Sequence, residues 1–424
     1  MPFTKNPEAH AGGYHRAVSA SHPEPPPSGG AELQTVTLHG FAHGGEAVGS
    51  LADGRAVFVA HAIPGETVRI RITAAQKRWC RGELVEVVSA SEDRVEPPCP
   101  YFGPGKCGGC RLQHIAPARR RALLRQVVID QLERVGRLKE PNVAPTVTAG
   151  EYGYRNRARF AVTDDGALGF RRHSSHEVVP IDRCLLLDDA TQHLRETAGD
   201  DWDGVREVEV RTGAAGEAVV ADPAGRPRVA LGDATLTERV SGIPFRVSAT
   251  SFFQSNRAGA NVLVDLVRRF ASAGPNDTVR DLYAGVGLFA VALAADGAAV
   301  TAVESHTSSA ADARRNLGSD GDVVAAPVAD AMAAFRADSR RFDVIVVDPP
   351  RRGAGPEVIT AVAAVARRGI VVVACDPATL ARDAGTLQGC GWSLVEAVPV
   401  DQFAQTGHVE VVAAFAPDAG ATAG

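Results

Sequence analysis

From about Asn256 to Phe415 the chain alternates between helical stretches and short runs of apolar β-forming residues. Such alternation is typical of βαβ units, in which parallel strands are covered by helices on both faces of the sheet. Open sheets of this kind bind ligands at the carboxyl ends of their strands. The segment therefore predicts a doubly wound, Rossmann-like α/β sheet, and function is expected at its strand ends.

The chain has 424 residues, which is too long for one hydrophobic core. Residues 1–30 are rich in proline and glycine and are predicted to form a disordered tail, with a second tail over 417–424. Short alternating segments separated by turn signals such as Asp53-Gly54 predict a small OB-like β-barrel over 31–92. A cysteine-bearing, β-rich central domain is expected over 93–247, and the α/β domain over 248–416.

The chain contains no apolar run near the roughly 20 residues that cross a bilayer, and its start is polar. We therefore expect a cytoplasmic protein with no membrane partner. In that reducing compartment the seven cysteines are not expected to form disulfides, so clustered cysteines indicate a metal. The isolated Cys390 is interpreted as a buried packing residue. Nothing in the sequence indicates an obligate oligomer, and a monomer is expected.

The net charge of -5 conceals a basic segment. Arg55 to Arg137 contains 15 Lys and Arg against 8 Asp and Glu, a net +7 that leaves -12 elsewhere. Basic residues and Trp79 on the barrel strands suit contacts with phosphates and bases, as in oligonucleotide-binding barrels. A solvated basic face on a purely structural barrel remains the alternative.

Two strand ends in the α/β segment indicate a nucleoside site. A strand ending at Tyr283 enters a glycine turn at Gly285 and Gly287, and Glu304 ends the next strand 21 residues after Tyr283. A glycine turn lets a nucleotide-like ligand approach the backbone closely, and an acidic residue at this spacing can accept hydrogen bonds from ribose hydroxyl groups. Because the third glycine of the dinucleotide fingerprint is missing, an adenosine-type cofactor is favoured over a nicotinamide.

Two further strand ends carry reactive side chains. Asp348 precedes two prolines, which would hold its carboxylate at the sheet edge, although a simple turn is the alternative. Cys375 ends an apolar strand and precedes Asp376-Pro377, a helix start. A helix N-terminus favours the thiolate, so Cys375 is a candidate nucleophile.

Five motifs, in order, resemble those of the TrmA/RumA-type RNA 5-methyluridine methyltransferases. They are Phe252-Phe253-Gln254-Ser255-Asn256, Asp281-Leu282-Tyr283-Ala284-Gly285-Val286-Gly287, Asp348-Pro349-Pro350-Arg351, Ala374-Cys375-Asp376-Pro377-Ala378-Thr379-Leu380-Ala381-Arg382-Asp383 and Phe403-Ala404-Gln405-Thr406-Gly407-His408-Val409-Glu410. The resemblance covers about Gly40 to Phe415. It implies a class I S-adenosyl-L-methionine-dependent methyltransferase sheet, an N-terminal TRAM barrel and a central domain with an iron–sulfur cluster.

The chemistry of such enzymes explains the residue types. Uracil C5 is too weak a nucleophile to take a methyl group unaided, so a thiolate adds to C6, and a base later removes the C5 proton. The resemblance implies that Cys375 is the nucleophile and Glu410 the base. It further implies that four residues contact S-adenosyl-L-methionine, with Glu304 on the ribose: Gln254, Tyr283, Glu304 and Asp348.

Four cysteines form a candidate ligand set: Cys99, Cys107, Cys110 and Cys184. Four thiolates can hold either an iron–sulfur cluster or a tetrahedral zinc ion, and the spacing does not choose between them. The resemblance implies a [4Fe–4S] cluster, with zinc as the alternative. One departure from the family is Asp376 in place of the usual Asn, which would raise the pKa of the thiol unless Asp376 caps the following helix or pairs with Arg382.

The sequence thus predicts S-adenosyl-L-methionine-dependent methylation of uridine C5 in structured RNA, with the target base flipped out of its stack. Ribosomal RNA is favoured over transfer RNA as the partner. A methyltransferase acting on base amino groups and a non-catalytic RNA-binding or folding factor remain alternatives. Four residues are expected to contact RNA: Tyr154, Arg155, Asn156 and Arg157.

Overall fold

The structure is a computed structural model that describes residues 33–418, apart from 174, 198–201, 203–204, 222–226 and 232–234. The predicted tail over 1–30 lies outside the described residues, as do residues 419–424 of the C-terminal tail. Within the described ranges, no helix is both long enough and apolar enough to cross a membrane.

The first five strands close into a small barrel with the order β1-β2-β3-β5-β4. Alternate residues of these strands point inward, including Val36, Leu38, Val68 and Ile70, and form an apolar core. The predicted small β-barrel is therefore confirmed. Its strands are β1 (Gln34–Phe41), β2 (Ala47–Ser50), β3 (Ala56–Val59), β4 (Thr67–Ala75) and β5 (Trp79–Ser89).

The chain continues through α1 (Pro117–Arg134) and β6 (Val147–Thr148) into a central β-rich region. This region contains a six-stranded sheet of order β12-β11-β10-β7-β8-β9 and a separate β13-β14 hairpin. Its elements are β7 (Arg157–Val162), β8 (Leu168–Arg171), β9 (Val178–Pro180), α2 (Asp189–Thr197), β10 (Glu207–Thr212), β11 (Ala218–Ala221), β12 (Pro227–Leu231), β13 (Thr235–Val240) and β14 (Ile243–Ser248).

The C-terminal region is the predicted doubly wound sheet, with the order β17-β16-β15-β18-β19-β21-β20-β6. The strand order reverses between β15 and β18, which defines the crevice where such sheets bind ligands. Strand β21 runs antiparallel to both β19 and β20. The elements are α3 (Arg257–Ala271), β15 (Thr278–Leu282), α4 (Leu288–Ala295), β16 (Ala299–Val303), α5 (Thr307–Leu317), β17 (Gly321–Val324), α6 (Val328–Ala337), β18 (Phe342–Val347), α7 (Pro356–Val365), β19 (Ala366–Ala374), α8 (Pro377–Gly389), β20 (Trp392–Asp401) and β21 (Glu410–Pro417).

Two elements from the segment predicted as central domain complete the C-terminal sheet. Strand β6 pairs in parallel with β20, and α1 packs its apolar face, including Leu124 and Leu132, into the same core as Leu380 and Leu387 of α8. Gly136, just after α1, approaches α8 so closely that a Cβ atom would lie 2.8 Å from the Ala381 carbonyl oxygen. The two helices therefore form one layer over the sheet.

A buried ion pair fixes this layer at the end of β20. The Arg120 side chain is 1% exposed and that of Asp401 is fully buried. Arg120 Nε and Nη2 donate to Asp401 Oδ2 at 3.1 and 3.0 Å, and Nη2 also donates to Glu151. Gln405 Nε2 donates to the same Glu151 carboxylate at 3.1 Å. The network joins α1, the segment before β7 and the loop that follows β20.

Replacing Arg120 with leucine would leave the Asp401 carboxylate buried without its counter-charge. We expect the free energy of unfolding to fall by about 3–5 kcal/mol, the usual cost of removing one partner of a buried pair. Urea denaturation followed by tryptophan fluorescence measures this loss. The matched control is Arg121→Leu, which breaks only a partly exposed contact with Glu151 and should cost about 1 kcal/mol or less.

The double variant Arg120→Leu/Asp401→Leu tests the cause of that loss. Removing both charges from a buried pair is often close to neutral, so the double variant should recover much of the stability lost in Arg120→Leu. A double variant as unstable as the single one would contradict the explanation.

Candidate active site

Three of the predicted donor-binding residues leave adjacent strand ends at the crevice. Leu282 of β15 is in register with Val303 of β16 and Val347 of β18, so Tyr283, Glu304 and Asp348 follow side by side. Glu304 accepts hydrogen bonds from the backbone N–H groups of Gly285 at 2.9 Å and His306 at 2.6 Å. The structure therefore brings these three residues together around the glycine turn.

The glycine turn leaves open space above its backbone. Tyr283, Gly285 and Gly287 all adopt positive φ angles of 61°, 57° and 90°, a region that favours glycine. A Cβ atom at Gly285 would meet no heavy atom within 4 Å. Because Gly287 is also the N-cap of α4, the turn presents a helix N-terminus to this space.

Buried carboxyl groups make the crevice acidic. Burial, with the nearby charges of Asp348 and Glu304, raises the pKa of Asp281 to about 8, and burial raises that of Asp348 to about 7. Asp281 accepts a hydrogen bond from the Ala290 backbone at 2.9 Å, whereas its Oδ1 atom has no partner among the described residues. A positive charge nearby would favour the ionised carboxylates, so the crevice suits a cationic ligand.

Gln254 belongs to a different contact set. Its side-chain oxygen accepts a hydrogen bond from Gln402 Nε2 at 2.9 Å, and none of its described hydrogen bonds reaches Tyr283, Glu304 or Asp348. Gln402 follows β20, and its carbonyl oxygen accepts from Asn256 Nδ2 at 2.8 Å. Gln402 was missed in the sequence, which carries no local signal for this long-range pairing.

Cys375 and Glu410 face each other across neighbouring strands. Ala374 of β19 is in register with Val411 of β21, which places Cys375, just after β19, opposite Glu410. Cys375 is half-buried and Glu410 is buried. Burial, with the charges of Glu410 and Asp348, raises the pKa of the Cys375 thiol to about 11. Burial and Asp348 likewise raise the pKa of Glu410 to about 8.

Arg351 is the cation that opposes these shifts. Its guanidinium group favours the ionised forms of both Cys375 and Glu410 and therefore lowers their pKa values. It also lines a cavity of about 200 Å³ with Arg155 and His408. No role was expected of Arg351 from the sequence, although its position directly after Asp348-Pro349-Pro350 was a usable signal.

Asp376 caps the helix that follows Cys375. Its Oδ1 atom accepts hydrogen bonds from the backbone N–H groups of Ala378 at 2.8 Å and Thr379 at 3.1 Å. Its Oδ2 atom lies 3.7 Å from Nε2 of His43, a residue of the β1–β2 loop of the barrel. Asp376 was expected to raise the pKa of the Cys375 thiol unless it capped the following helix or paired with Arg382. The structure shows the capping arrangement, and no pairing with Arg382 occurs in the described chain.

The barrel reaches the active site through a close backbone contact. A Cβ atom at Gly407, in the 402–409 loop between β20 and β21, would lie 2.3 Å from the Gly44 carbonyl oxygen. The same Gly44 oxygen accepts a hydrogen bond from Arg111 Nη1 at 2.7 Å. Sequence reasoning missed this contact because docking between two domains leaves no periodic pattern.

The four predicted ligand cysteines line one cavity of about 440 Å³. All four are half-buried free thiols. Burial, with the charges of the other three thiolates, raises the pKa of Cys110 to about 12. In the described ranges no group of three or more His, Cys, Asp or Glu side chains is arranged to hold a single metal ion. The thiols are thus neighbours without forming a compact ion site.

Two of the expected RNA contacts are wrong. Tyr154 is buried and its hydroxyl donates to the Ala404 carbonyl oxygen at 2.9 Å, while the buried Asn156 donates to Glu238 at 2.8 Å. Both are structural residues, whereas Arg155 and Arg157 line the cysteine cavity.

Two further expectations change with the structure. Three barrel arginines are ion-paired with glutamates, which reduces the basic character expected of that surface: Arg69 with Glu86, Arg71 with Glu83 and Arg81 with Glu46. The prediction that Cys390 is buried is also wrong, because it is exposed at the end of α8.

Comparisons with known proteins agree with this arrangement. The sequence profile of the TRAM domain matches residues 31–85, and that of tRNA (Uracil-5-)-methyltransferase matches residues 328–415. An "Uncharacterized RNA methyltransferase" of Streptomyces avermitilis is 36% identical over 429 residues, covering 92% of this chain and 99% of the relative. A similarly named protein of Streptomyces coelicolor is 36% identical over 447 residues, covering 95% of this chain and 97% of its own.

The crystal structure of Pyrococcus abyssi tRNA (uracil-54, C5)-methyltransferase with S-adenosyl-L-homocysteine shares the fold. Its TM-score is 0.69 at 23% identity, with 90% of this chain and 100% of that chain covered. The profiles, the full-length relatives and the fold lead to one assignment. The chain belongs to the uracil-5-methyltransferase family of S-adenosyl-L-methionine-dependent RNA methyltransferases and carries an N-terminal TRAM domain.

Proposed function

We propose that this RNA methyltransferase methylates C5 of uridine in structured RNA through a covalent bond between Cys375 Sγ and C6 of uracil. The observation that carries the proposal is the placement of Cys375 opposite Glu410, with Arg351 beside both. A methyltransferase acting on amino groups needs neither a nucleophile nor a base at these two positions. The pairing therefore favours C5 chemistry over the amino alternative.

The proposed reaction uses the chain's own groups in sequence. The Cys375 thiolate adds to C6, and the electron pair of the C5–C6 double bond moves into an enolate that makes C5 nucleophilic. Bound S-adenosyl-L-methionine supplies an electrophilic methyl group. The Glu410 carboxylate then removes the C5 proton, and the electron pair re-forms the C5–C6 double bond as the thiolate leaves.

The acidic crevice fits the methyl donor. Tyr283, Glu304 and Asp348 would hold it, with Glu304 accepting from the ribose hydroxyl groups. A carboxylate has about four acceptor sites, so the two backbone bonds to Glu304 leave capacity for a ribose. Burial raises the pKa values of Asp281 and Asp348, and a bound sulfonium would favour their ionised forms. Gln254 would approach the donor from the Gln402 side.

We also propose that the four cysteines hold a [4Fe–4S] cluster. A zinc ion lies about 2.3 Å from each sulfur ligand and therefore draws its four thiolates close together. A cubane cluster spaces its four ligands further apart and needs a shared cavity, as lined here by all four thiols. The backbone N–H of Gly109 points to Cys107 Sγ at 3.4 Å, the kind of contact that stabilises cluster sulfurs.

The RNA substrate remains a prediction. The sequence favoured ribosomal RNA, whereas the names of the matching family and of the Pyrococcus abyssi enzyme refer to tRNA. Mapping 5-methyluridine in total RNA, with and without this protein, identifies the substrate.

We keep the predicted division into a barrel over 31–92, a central region over 93–247 and a catalytic region over 248–416, with α1 and β6 belonging to the catalytic sheet.

The covalent mechanism predicts different failures for two variants. Cys375→Ala should abolish methyl transfer, because C5 cannot be activated without the C6 adduct. Glu410→Gln should instead accumulate a covalent protein–RNA complex, because the methylated adduct cannot lose its proton. Denaturing gels with radiolabelled RNA measure both. The matched control is Cys390→Ala, an exposed cysteine at the far end of α8, which should remain active.

Full methyl transfer by Cys375→Ala would overturn the C5 mechanism in favour of amino methylation. Capture of 5-fluorouridine RNA in the presence of the methyl donor separates an enzyme from a pure RNA-binding factor, which cannot form the adduct.

The pH dependence tests the role of Asp376. Single-turnover methyl transfer should rise with pH through about 8, where Glu410 loses its proton, and continue to rise towards about 11, where the Cys375 thiol becomes a thiolate. Asparagine caps helices as well as aspartate does, so Asp376→Asn should keep this profile. Asp376→Ala loses the cap and should lower the free energy of unfolding by about 1 kcal/mol. A profile displaced to lower pH in Asp376→Asn would show that the carboxylate opposes thiolate formation.

The cluster predicts a definite metal content. Protein purified without oxygen should contain iron and acid-labile sulfide in equal amounts and show broad visible absorption. Both should be lost in Cys110→Ser and in Cys184→Ser and retained in Cys390→Ser, because only the first two line the shared cavity. Zinc without sulfide would contradict the cluster and favour the alternative ion.

A further inference from the structure

A basic groove lies on the outer face of the catalytic region, between the end of α1, the start of α7 and the second half of α8. It encloses about 700 Å³, and its lining includes Arg137, Arg352 and Arg382. We call this feature the arginine groove. It is separate from the cysteine cavity and from the cavity beside His408, since the lining residues differ.

Glycines shape the arginine groove. Gly136 and Gly385 bring α1 and α8 into backbone contact, since a Cβ atom at Gly385 would lie 2.9 Å from the Gly136 carbonyl oxygen. This contact holds Arg137, which has a left-handed φ of 58°, on the same wall as Arg382. By contrast, a Cβ atom at Gly355 would meet nothing within 4 Å, so the opposite rim is open.

The three arginines present their charge to solvent, and the charge of Arg382 also acts on the nearby carboxyl group of Asp383. All three are exposed, and none forms an ion pair or a side-chain hydrogen bond with any residue that the structure describes. The acid in the groove, Asp383, is buried, and its carboxylate turns to the backbone N–H of Ala354 at 3.4 Å. Among the described residues that line the groove, three arginines stand against this one acid, so positive charge is in excess there.

The arginines on the barrel strands differ from those of the arginine groove in being ion-paired. Arg69 and Arg71 on the barrel strands are already paired with Glu86 and Glu83. An RNA phosphate would have to compete with these carboxylates, whereas phosphates can bind the groove arginines without breaking an ion pair. Affinity for RNA comes largely from such phosphate contacts and from counterion release.

We propose that the arginine groove binds the phosphate backbone of the substrate RNA, outside the nucleotide that enters the active site. Arg352 immediately follows Arg351 and its charge acts on Tyr283, so this end of the groove lies towards the crevice, and the groove continues along the second half of α8. Guanidinium groups bind phosphate in a bidentate manner, and three on one groove suit successive phosphates of one strand. The inference rests on the proposed function, since it takes RNA as the substrate.

The test measures RNA binding rather than catalysis. The probe is a fluorescently labelled, uridine-containing RNA stem-loop, and its dissociation constant is measured by anisotropy across a salt series. For Arg137→Gln/Arg382→Gln, the slope of log affinity against log salt should fall by about 1.4–1.8, which corresponds to two lost phosphate contacts. Arg137→Lys/Arg382→Lys keeps both charges and should retain most of the slope, which separates lost charge from disturbed folding.

The matched control is Arg69→Gln/Arg71→Gln on the barrel, which should leave the slope close to that of the unmodified protein because these charges are already paired. An unchanged slope in the groove variant, or an equal fall in the barrel variant, would overturn the proposal. Because binding needs no methyl transfer, a reduced slope in the groove variant without 5-methyluridine formation would retain the groove and reject the proposed chemistry.

Discussion

The buried ion pair between Arg120 and Asp401 determines how the catalytic residues are held. Two fully buried charges are stable only when they satisfy each other, so α1 must stay on the end of β20. That end is also where the 402–409 loop begins, the loop that leads to Glu410. The ion pair therefore fixes one end of the loop that leads to Glu410, the proposed base, and the sheet register of β21 fixes the other.

The cysteine segment is bonded to the same loop. Gln405 has a left-handed φ of 69°, which is costly for a residue with a side chain, and its carbonyl oxygen accepts from the backbone N–H groups of Arg111 and Leu112 at 2.8 and 3.1 Å. These two residues directly follow Cys110. Since the loop also rests on Gly44 of the barrel, three parts of the chain meet at the catalytic loop. The shape of the active site thus depends on all of them, although the chemistry needs few residues.

The sequence predicted the parts of this protein whose residue patterns repeat regularly along the chain. Buried strands alternating with helices predicted the α/β sheet. Because the topology of such a sheet fixes its carboxyl edge, the strand ends also predicted the location of Asp348 and Cys375. The alternating short strands of the barrel predicted it for the same reason. The placement of Glu410 came only from motif resemblance, since no local pattern says which strand pairs with β19.

Contacts between segments far apart in the chain could not be predicted from the sequence. Strand β6 has two residues and no detectable period, so its addition to the sheet was not predicted. Tyr154 and Asn156 resemble surface residues in sequence, but their polar atoms are satisfied by Ala404 and Glu238 inside the protein. Counting charges along the chain likewise overestimated the basic barrel, because cross-strand pairing with glutamates is not visible in composition.

The distribution of charge in the catalytic region follows from the two ligands that it must bind. Carboxyl groups with raised pKa values, Asp281, Asp348 and Glu410, lie inside the crevice, where a cation would lower those values again. Arginines without ion pairs stand outside it, where a polyanion would lie. Arg351 is placed between these two regions and favours the thiolate of Cys375. An RNA phosphate that contacted Arg351 would weaken that effect, so neighbouring arginines that bind the backbone elsewhere leave Arg351 available to the reacting base.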